Sequence, residues 1–90
     1  MATVVLTQHL APYTGGQREL ECPADDVAAL LEALDREMPG VRRYICDEHG
    51  ALRRHVNLFI DGVALRDRVR LTDRLAPKAT VHVLQAVSGG

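Results

Sequence analysis

The chain has 90 residues, 47% hydrophobic and 26% charged, and a formal net charge of −1. That length makes one domain with one small core and little room for a deep pocket of its own. The near-neutral charge gives no electrostatic case for nucleic-acid binding, and no apolar run approaches the roughly 20 residues of a membrane span.

Met1-Ala2-Thr3-Val4-Val5-Leu6 has neither a basic region nor a long apolar stretch, so it does not read as a signal peptide. Residues 4–10 are rich in β-formers, with Val4, Leu6 and Leu10 on one face. Thr14-Gly15-Gly16 is a turn, and residues 17–22 alternate as a half-exposed strand would, completing an N-terminal hairpin. Pro23-Ala24-Asp25-Asp26 reads as a helix start: proline suits the first turn, and acidic side chains suit the positive end of the dipole. Val27, Leu30, Leu31, Leu34 and Met38 form an apolar stripe at helical spacing, read as core rather than as a partner face, and Pro39-Gly40 stops the helix.

Residues 41–54 show no clear period, beyond a turn at Asp47-Glu48-His49-Gly50 between two short segments. Val56-Asn57-Leu58-Phe59-Ile60 is the clearest strand, and Asp61-Gly62 turns it tightly into Val63-Ala64-Leu65. Residues 66–78 are a charged connection holding Val69, Leu71 and Leu75, and residues 80–87 form the last strand. The order β-β-α-β-β-β, with one central helix, predicts an α+β two-layer fold. No repeat or second domain is present in the sequence.

Chemistry-bearing residues are sparse. His9, His49, His55, His82, Cys22 and Cys46 do not have the spacing of a four-ligand zinc site. Two cysteines do not make a disulfide framework, and a reduced cytoplasmic protein is the economical reading. Cys22 stands just before the helix, where the dipole can lower a thiol pKa, but it reads first as a small apolar residue at a strand end. No nucleophile elbow and no phosphate-cradling glycine loop occurs. The sequence therefore carries no catalytic machinery of its own.

Arg42-Arg43, Arg53-Arg54 and the Arg66/Arg68/Arg70 run read as solvated faces, with docking of an acidic partner as the alternative. Ten arginines stand against the single Lys78, either as compositional bias or to keep amines away from an activated carboxyl group. If Val56, Leu58 and Ile60 face the helix, Phe59 faces the other side of the sheet, and Leu84 belongs to an alternating set on the last strand. Both sheet faces are then partly apolar, as at a protein–protein site, although single surface hydrophobes are also ordinary.

The sequence ends on Gly89-Gly90, directly after the strand-like run Thr80-Val81-His82-Val83-Leu84-Gln85-Ala86-Val87-Ser88. Neither glycine has a Cβ, so this backbone fits a narrow channel. Residues 86–90 reach roughly 17 Å when extended at ~3.3 Å each. The competing reading is a frayed end or an expression scar.

Taken together, the strand order, the helix Asp26 to Met38 ending in Pro39-Gly40, the segment Val56-Asn57-Leu58-Phe59-Ile60-Asp61-Gly62 and the ending Ala86-Val87-Ser88-Gly89-Gly90 resemble the ubiquitin-like sulfur carriers of the MoaD/ThiS family. The resemblance is to the actinobacterial cysteine-biosynthesis subgroup in particular, whose greater length suits residues 41–54. It implies a β-grasp fold, a mixed sheet of about five strands on one main helix, with the first and last strands adjacent and parallel. Residues 1–85 would form this domain and 86–90 a flexible tail.

The resemblance further implies that Gly90 is adenylated by an E1-like, MoeB/ThiF-type activating enzyme using ATP, and is then converted to a thiocarboxylate by a sulfur donor. A synthase consumes that sulfur. Gly89 supplies tail flexibility, Ala86, Val87 and Ser88 give the tail small or modest side chains for a partner's channel, and Phe59 and Leu84 are docking candidates. The protein would be a carrier and not an enzyme. It would hold no cofactor or metal, and would be a monomer that forms hetero-complexes. Cysteine or a sulfur-containing metabolite is the favoured end product, with molybdopterin, thiamine or a thiolated tRNA open. A ubiquitin-like modifier joined through Gly90, or a β-grasp binding module with an inert tail, are the alternatives.

Overall fold

The computed structural model describes residues 1–6 and 18–85. Five strands and two helices follow one another: β1 (Ala2–Leu6), β2 (Glu19–Cys22), α1 (Val27–Glu37), α2 (Val41–Ile45), β3 (Val56–Ile60), β4 (Val63–Ala64) and β5 (Thr80–Gln85). The sheet order is β2-β1-β5-β3-β4. β1 and β5 run parallel at its centre, Val4 opposite Val81 and Leu6 opposite Val83, while the other neighbours are antiparallel. The pairing expected of the first and last strands is therefore present.

The period-two pattern decides which face is sealed. Ala2, Val4 and Leu6 of β1, Val56 and Leu58 of β3, and Val81 and Val83 of β5 are all buried. They meet the stripe of α1, where Val27, Leu30, Leu31 and Leu34 are fully buried and Met38 is nearly so. The stripe is core, as its spacing predicts. Ile60 and Leu20 pack against the same core from its margin.

α1 lies within the expected span Asp26 to Met38, residues that are its caps, but its first turn differs from the sequence expectation. Pro23 lies outside the helix, and Asp26 is the N-cap, with extended backbone and a side chain that accepts from the Ala29 N–H at 2.8 Å. No acidic residue occupies the first turn itself. An N-cap carboxylate satisfies one of the orphan amides that open every helix, which a proline cannot do. The next two orphans are taken by the loop before β5: Val27 N–H donates to the Asp73 carbonyl at 3.0 Å, and Ala28 N–H to the Leu71 carbonyl at 3.0 Å.

A second helix, α2, stands where the sequence showed no period, so the single-helix order needs correction. Gly40 turns the chain at φ 99, a left-handed conformation that suits a residue without Cβ. Asp35, from α1, then accepts the Gly40 and Arg42 amides at 3.2 Å each. Val41 and Ile45 plug the core from this side. The turn at 47–50 forms as expected, Gly50 N–H donating to the Asp47 carbonyl at 3.0 Å. Asp61 and Gly62 both have positive φ, as a two-residue primed hairpin turn requires. The Asp61 side chain also accepts the Thr80 amide at 2.9 Å, fixing the start of β5 to the end of β3.

Candidate functional site

The face of the sheet turned away from α1 is built by register. Phe59 lies opposite His82 and Ala64, Leu84 opposite Asn57, and Val5 opposite His82. Phe59 and Leu84 are thus diagonal neighbours on one face, as the alternation of β3 and β5 implies, with Val5 on the far side of His82. Leu84 is 41% exposed and Phe59 half-buried. Glu19 and Glu21 of β2 flank this apolar strip on the β1 side. An apolar centre with a polar margin is the usual anatomy of a docking surface.

Residues Ala86, Val87, Ser88, Gly89 and Gly90 lie outside the described residues, so the chain is followed only to Gln85, where they begin. That root is held from two sides. Gln85 stands opposite Val56 in the β3–β5 ladder, and its Oε1 accepts from the Tyr44 hydroxyl at 2.6 Å. Tyr44 in turn meets the His55 ring edge-on, with centroids 5.9 Å apart and planes at 88°.

Around this pair the two arginine doublets come together. The Cys46–Leu52 bridge and the bond from Arg53 N–H to the Ile45 carbonyl, 3.0 Å, fold 45–53 back on itself. Arg53 Nε then donates to the Arg43 carbonyl at 2.9 Å. A groove of about 510 Å³ results, lined by Gly40, Arg43, Tyr44, Arg53 and His55. In the sequence the two doublets stand apart, Arg43 ten residues before Arg53, and no local pattern marks Tyr44 or Gln85. The only available signal was the 47–50 turn between the two doublets.

Arg68 corrects the reading of the third basic run as a solvated face. It is half-buried, and its Nη2 donates to the carbonyls of Arg53 at 2.9 Å and Val56 at 2.8 Å. Arg66 and Arg70 beside it are exposed. Asp67 collects the amides of Val69 at 3.1 Å and Arg70 at 2.9 Å and the Thr72 hydroxyl at 2.6 Å. The Thr72 hydroxyl bond, and then the amides, hold the Asp67 carboxyl down at about 2.

Neither cysteine is placed for nucleophilic work. Cys22 and Cys46 are free and buried. Burial pushes the Cys22 thiol up, with Glu37 adding to the shift and Arg36 opposing it. Burial likewise pushes Cys46 up against the opposing charge of Arg42. Among the described residues no three His, Cys, Asp or Glu side chains gather as a metal site would require, and no helix is long and apolar enough to cross a membrane.

Comparison with known proteins places this geometry. The model of the ThiS family matches residues 4–90. The sulfur carrier protein CysO of Mycobacterium tuberculosis is 30% identical over 90 residues, covering 98% of this chain and 97% of that protein. The crystal structure of M. tuberculosis CysO superposes with a TM-score of 0.88 at 28% identity, over 97% of this chain and 100% of that one. CysO in the Amycolatopsis orientalis BexX/CysO complex gives a TM-score of 0.89 at 22% identity, with both chains fully covered. Small archaeal modifier protein 1 from Haloferax volcanii gives 0.76 at 24% identity, over 99% of this chain and 98% of that one, a likeness of fold. The ubiquitin-like β-grasp fold is shared by all three.

Proposed function

Because the chain belongs to the ThiS family, we propose that it is a sulfur carrier of the CysO type, whose working group is the carboxyl end of Gly90. The observation that carries this reading is the near full-length likeness to a sulfur carrier protein, in a match that runs through residue 90. In this reading an E1-like enzyme lets the Gly90 carboxylate attack the α-phosphorus of ATP, expelling pyrophosphate and leaving an acyl-adenylate. The outer sulfur of a persulfide donor then attacks the activated carbonyl and expels AMP, and a thiol cleaves the S–S bond of the resulting acyl disulfide, leaving a thiocarboxylate on Gly90 and a disulfide on the donor side. A synthase takes the sulfur, with a cysteine-forming reaction the favoured destination.

The division of labour suits the fold. The chain is a co-substrate and not an enzyme: its body is a handle, and chemistry is supplied by cytoplasmic partners. Phe59 and Leu84 offer the apolar docking strip. β5, paired on both sides, gives residues 86–90 a fixed origin, so the reacting group is delivered at high effective concentration without free sulfide. Gly89 and Gly90 present no side chain to a narrow channel, and Ala86, Val87 and Ser88 present small or modest ones.

Intact mass after incubation with the host activating enzyme, ATP and a sulfur donor tests the reading. The expected result is a mass gain equal to one oxygen replaced by sulfur. Deleting Gly90 abolishes that gain and leaves the thermal unfolding profile unchanged. No gain with an enzyme shown to be active on another carrier overturns the reading. Adducts on target lysines in cell extracts would instead favour a protein modifier.

A further inference from the structure

We infer that the groove lined by Arg43, Tyr44, Arg53 and His55 is a second docking surface, which takes a carboxylate-rich segment of the protein that receives the tail. The identity of that receiver rests on the function proposed above; the binding chemistry of the groove does not.

Three observations carry the inference. The first is uncompensated charge. The whole chain has a formal net charge of −1, yet no carboxylate lines this groove. The nearby acids Asp35, Asp47 and Glu48 face the adjoining groove, which Arg43 also borders, and not this one: Asp35 accepts the amides of Gly40 and Arg42, Asp47 accepts those of His49 and Ala51, and Glu48 stands 3.8 Å from His49. Among the described residues no carboxylate comes within 4.0 Å of Arg43 or Arg53.

The second is posture. Arg53 is steered by the bond from its Nε to the Arg43 carbonyl. Its two terminal nitrogens have no acceptor among the described residues, which leaves the end of the fork for a bidentate carboxylate. Arg43 itself is exposed.

The third is position. Tyr44, one wall of the groove, is bonded to Gln85, the last described residue before the tail. A partner that draws in residues 86–90 must lay its surface beside this groove. Tyr and Arg, which line the groove, are among the residues enriched at protein interfaces.

The test is an NMR titration of the full chain with hexaglutamate. The amides of Arg43, Tyr44, Arg53, His55 and Gln85 should shift together, and the effect should weaken as salt is raised. Arg43→Gln/Arg53→Gln should lose affinity roughly five- to tenfold, the worth of two partly exposed ion pairs. Arg43→Gln alone should lose part of it, and it leaves intact the carbonyl that steers Arg53. The Gly90-deleted chain should bind hexaglutamate unchanged. In the activation reaction the double variant should raise KM and leave kcat alone.

Absence of shifts at these residues, or equal shifts around Arg66 and Arg70, overturns the inference. So do equal shifts from inorganic phosphate at the same concentration, which would mark a general anion site. An unchanged KM despite hexaglutamate binding overturns the assignment to the tail-receiving partner. Binding without any activation of the wild type counts against the carrier function and leaves the groove standing.

Discussion

The connections 38–55 and 65–79 solve the same problem by different chemistry. Each carries the chain past the edge of one sheet and seals the core as it goes. The first does so largely with a helix: α2 satisfies much of its own backbone and drives Val41 and Ile45 inward, with Cys46 and Leu52 beneath it. The second has no regular structure to satisfy its amides, so side chains stand in. Asp73 accepts the amides of Arg66 at 3.0 Å and Asp67 at 2.9 Å, and Asp67 accepts those of Val69 and Arg70. Leu71 is buried in left-handed backbone at φ 58, a conformation a leucine adopts only when its surroundings over-determine it. Both connections bury apolar side chains and lend aspartates to backbone amides, but the first adds a helix of its own while the second relies on the aspartate net alone.

That contrast predicts a graded response. Ile45→Ala should be the most damaging, costing about 2–5 kcal/mol in urea unfolding, because it empties a fully buried position under α2. A loss below ~1 kcal/mol would mean that the surroundings collapse to fill the space. Arg68→Met should come next, at about 1–2 kcal/mol, since it strips donors from the Arg53 and Val56 carbonyls while keeping the apolar stem. It should also quicken amide exchange around Arg53, although residue 68 belongs to the other connection. Equal exchange in variant and wild type would separate the two regions.

The smallest effect concerns Asp67. A carboxyl held below its usual 3.8 contributes stability above that value and loses it as pH falls through about 2. NMR of its side-chain carboxyl should therefore show a midpoint near 2, and Thr72→Val should move that midpoint upward. An unchanged midpoint in Thr72→Val would assign the shift to the amides alone.

Legibility in the sequence followed the same physics. The stripe from Val27 to Met38, the alternation in Val56–Ile60 and the Asp61-Gly62 turn repeat a strong local signal several times, and each element forms where it was read. α2 leaves no signal in the sequence because five residues, with Arg42 and Arg43 among them, are too short to show a helical period. Its start depends on Gly40 and on Asp35 reaching across from α1. The helix expected from Asp26 to Met38 forms as Val27–Glu37 with Asp26 and Met38 as its caps; only Pro23 is not in its first turn, because the Ala29–Asp26 cap bond starts the helix after it. Phe59 and Leu84 could be placed on one face by counting in twos. The meeting of Arg43 with Arg53, and of Tyr44 with Gln85, depends on tertiary folding that no local pattern encodes. The inward turn of Arg68 was invisible for the same reason, since an arginine in a basic run looks solvated until its carbonyl acceptors are known.

The place of β5 has a consequence for biosynthesis. It is translated after the other four described strands, yet it lies in the middle of the sheet between β1 and β3. Until it docks, β1–β2 and β3–β4 are two separate ribbons, and isolated two-stranded ribbons are marginal in water. Domains fold as units while synthesis runs from the N-terminus, so this one cannot close early. Nascent or truncated chains lacking β5 would leave both ribbons with unpaired inner edges, an invitation to aggregation or to proteolysis. Maturity of the body and availability of the residues after Gln85 are thereby coupled: a chain that presents its end correctly has already zipped its centre.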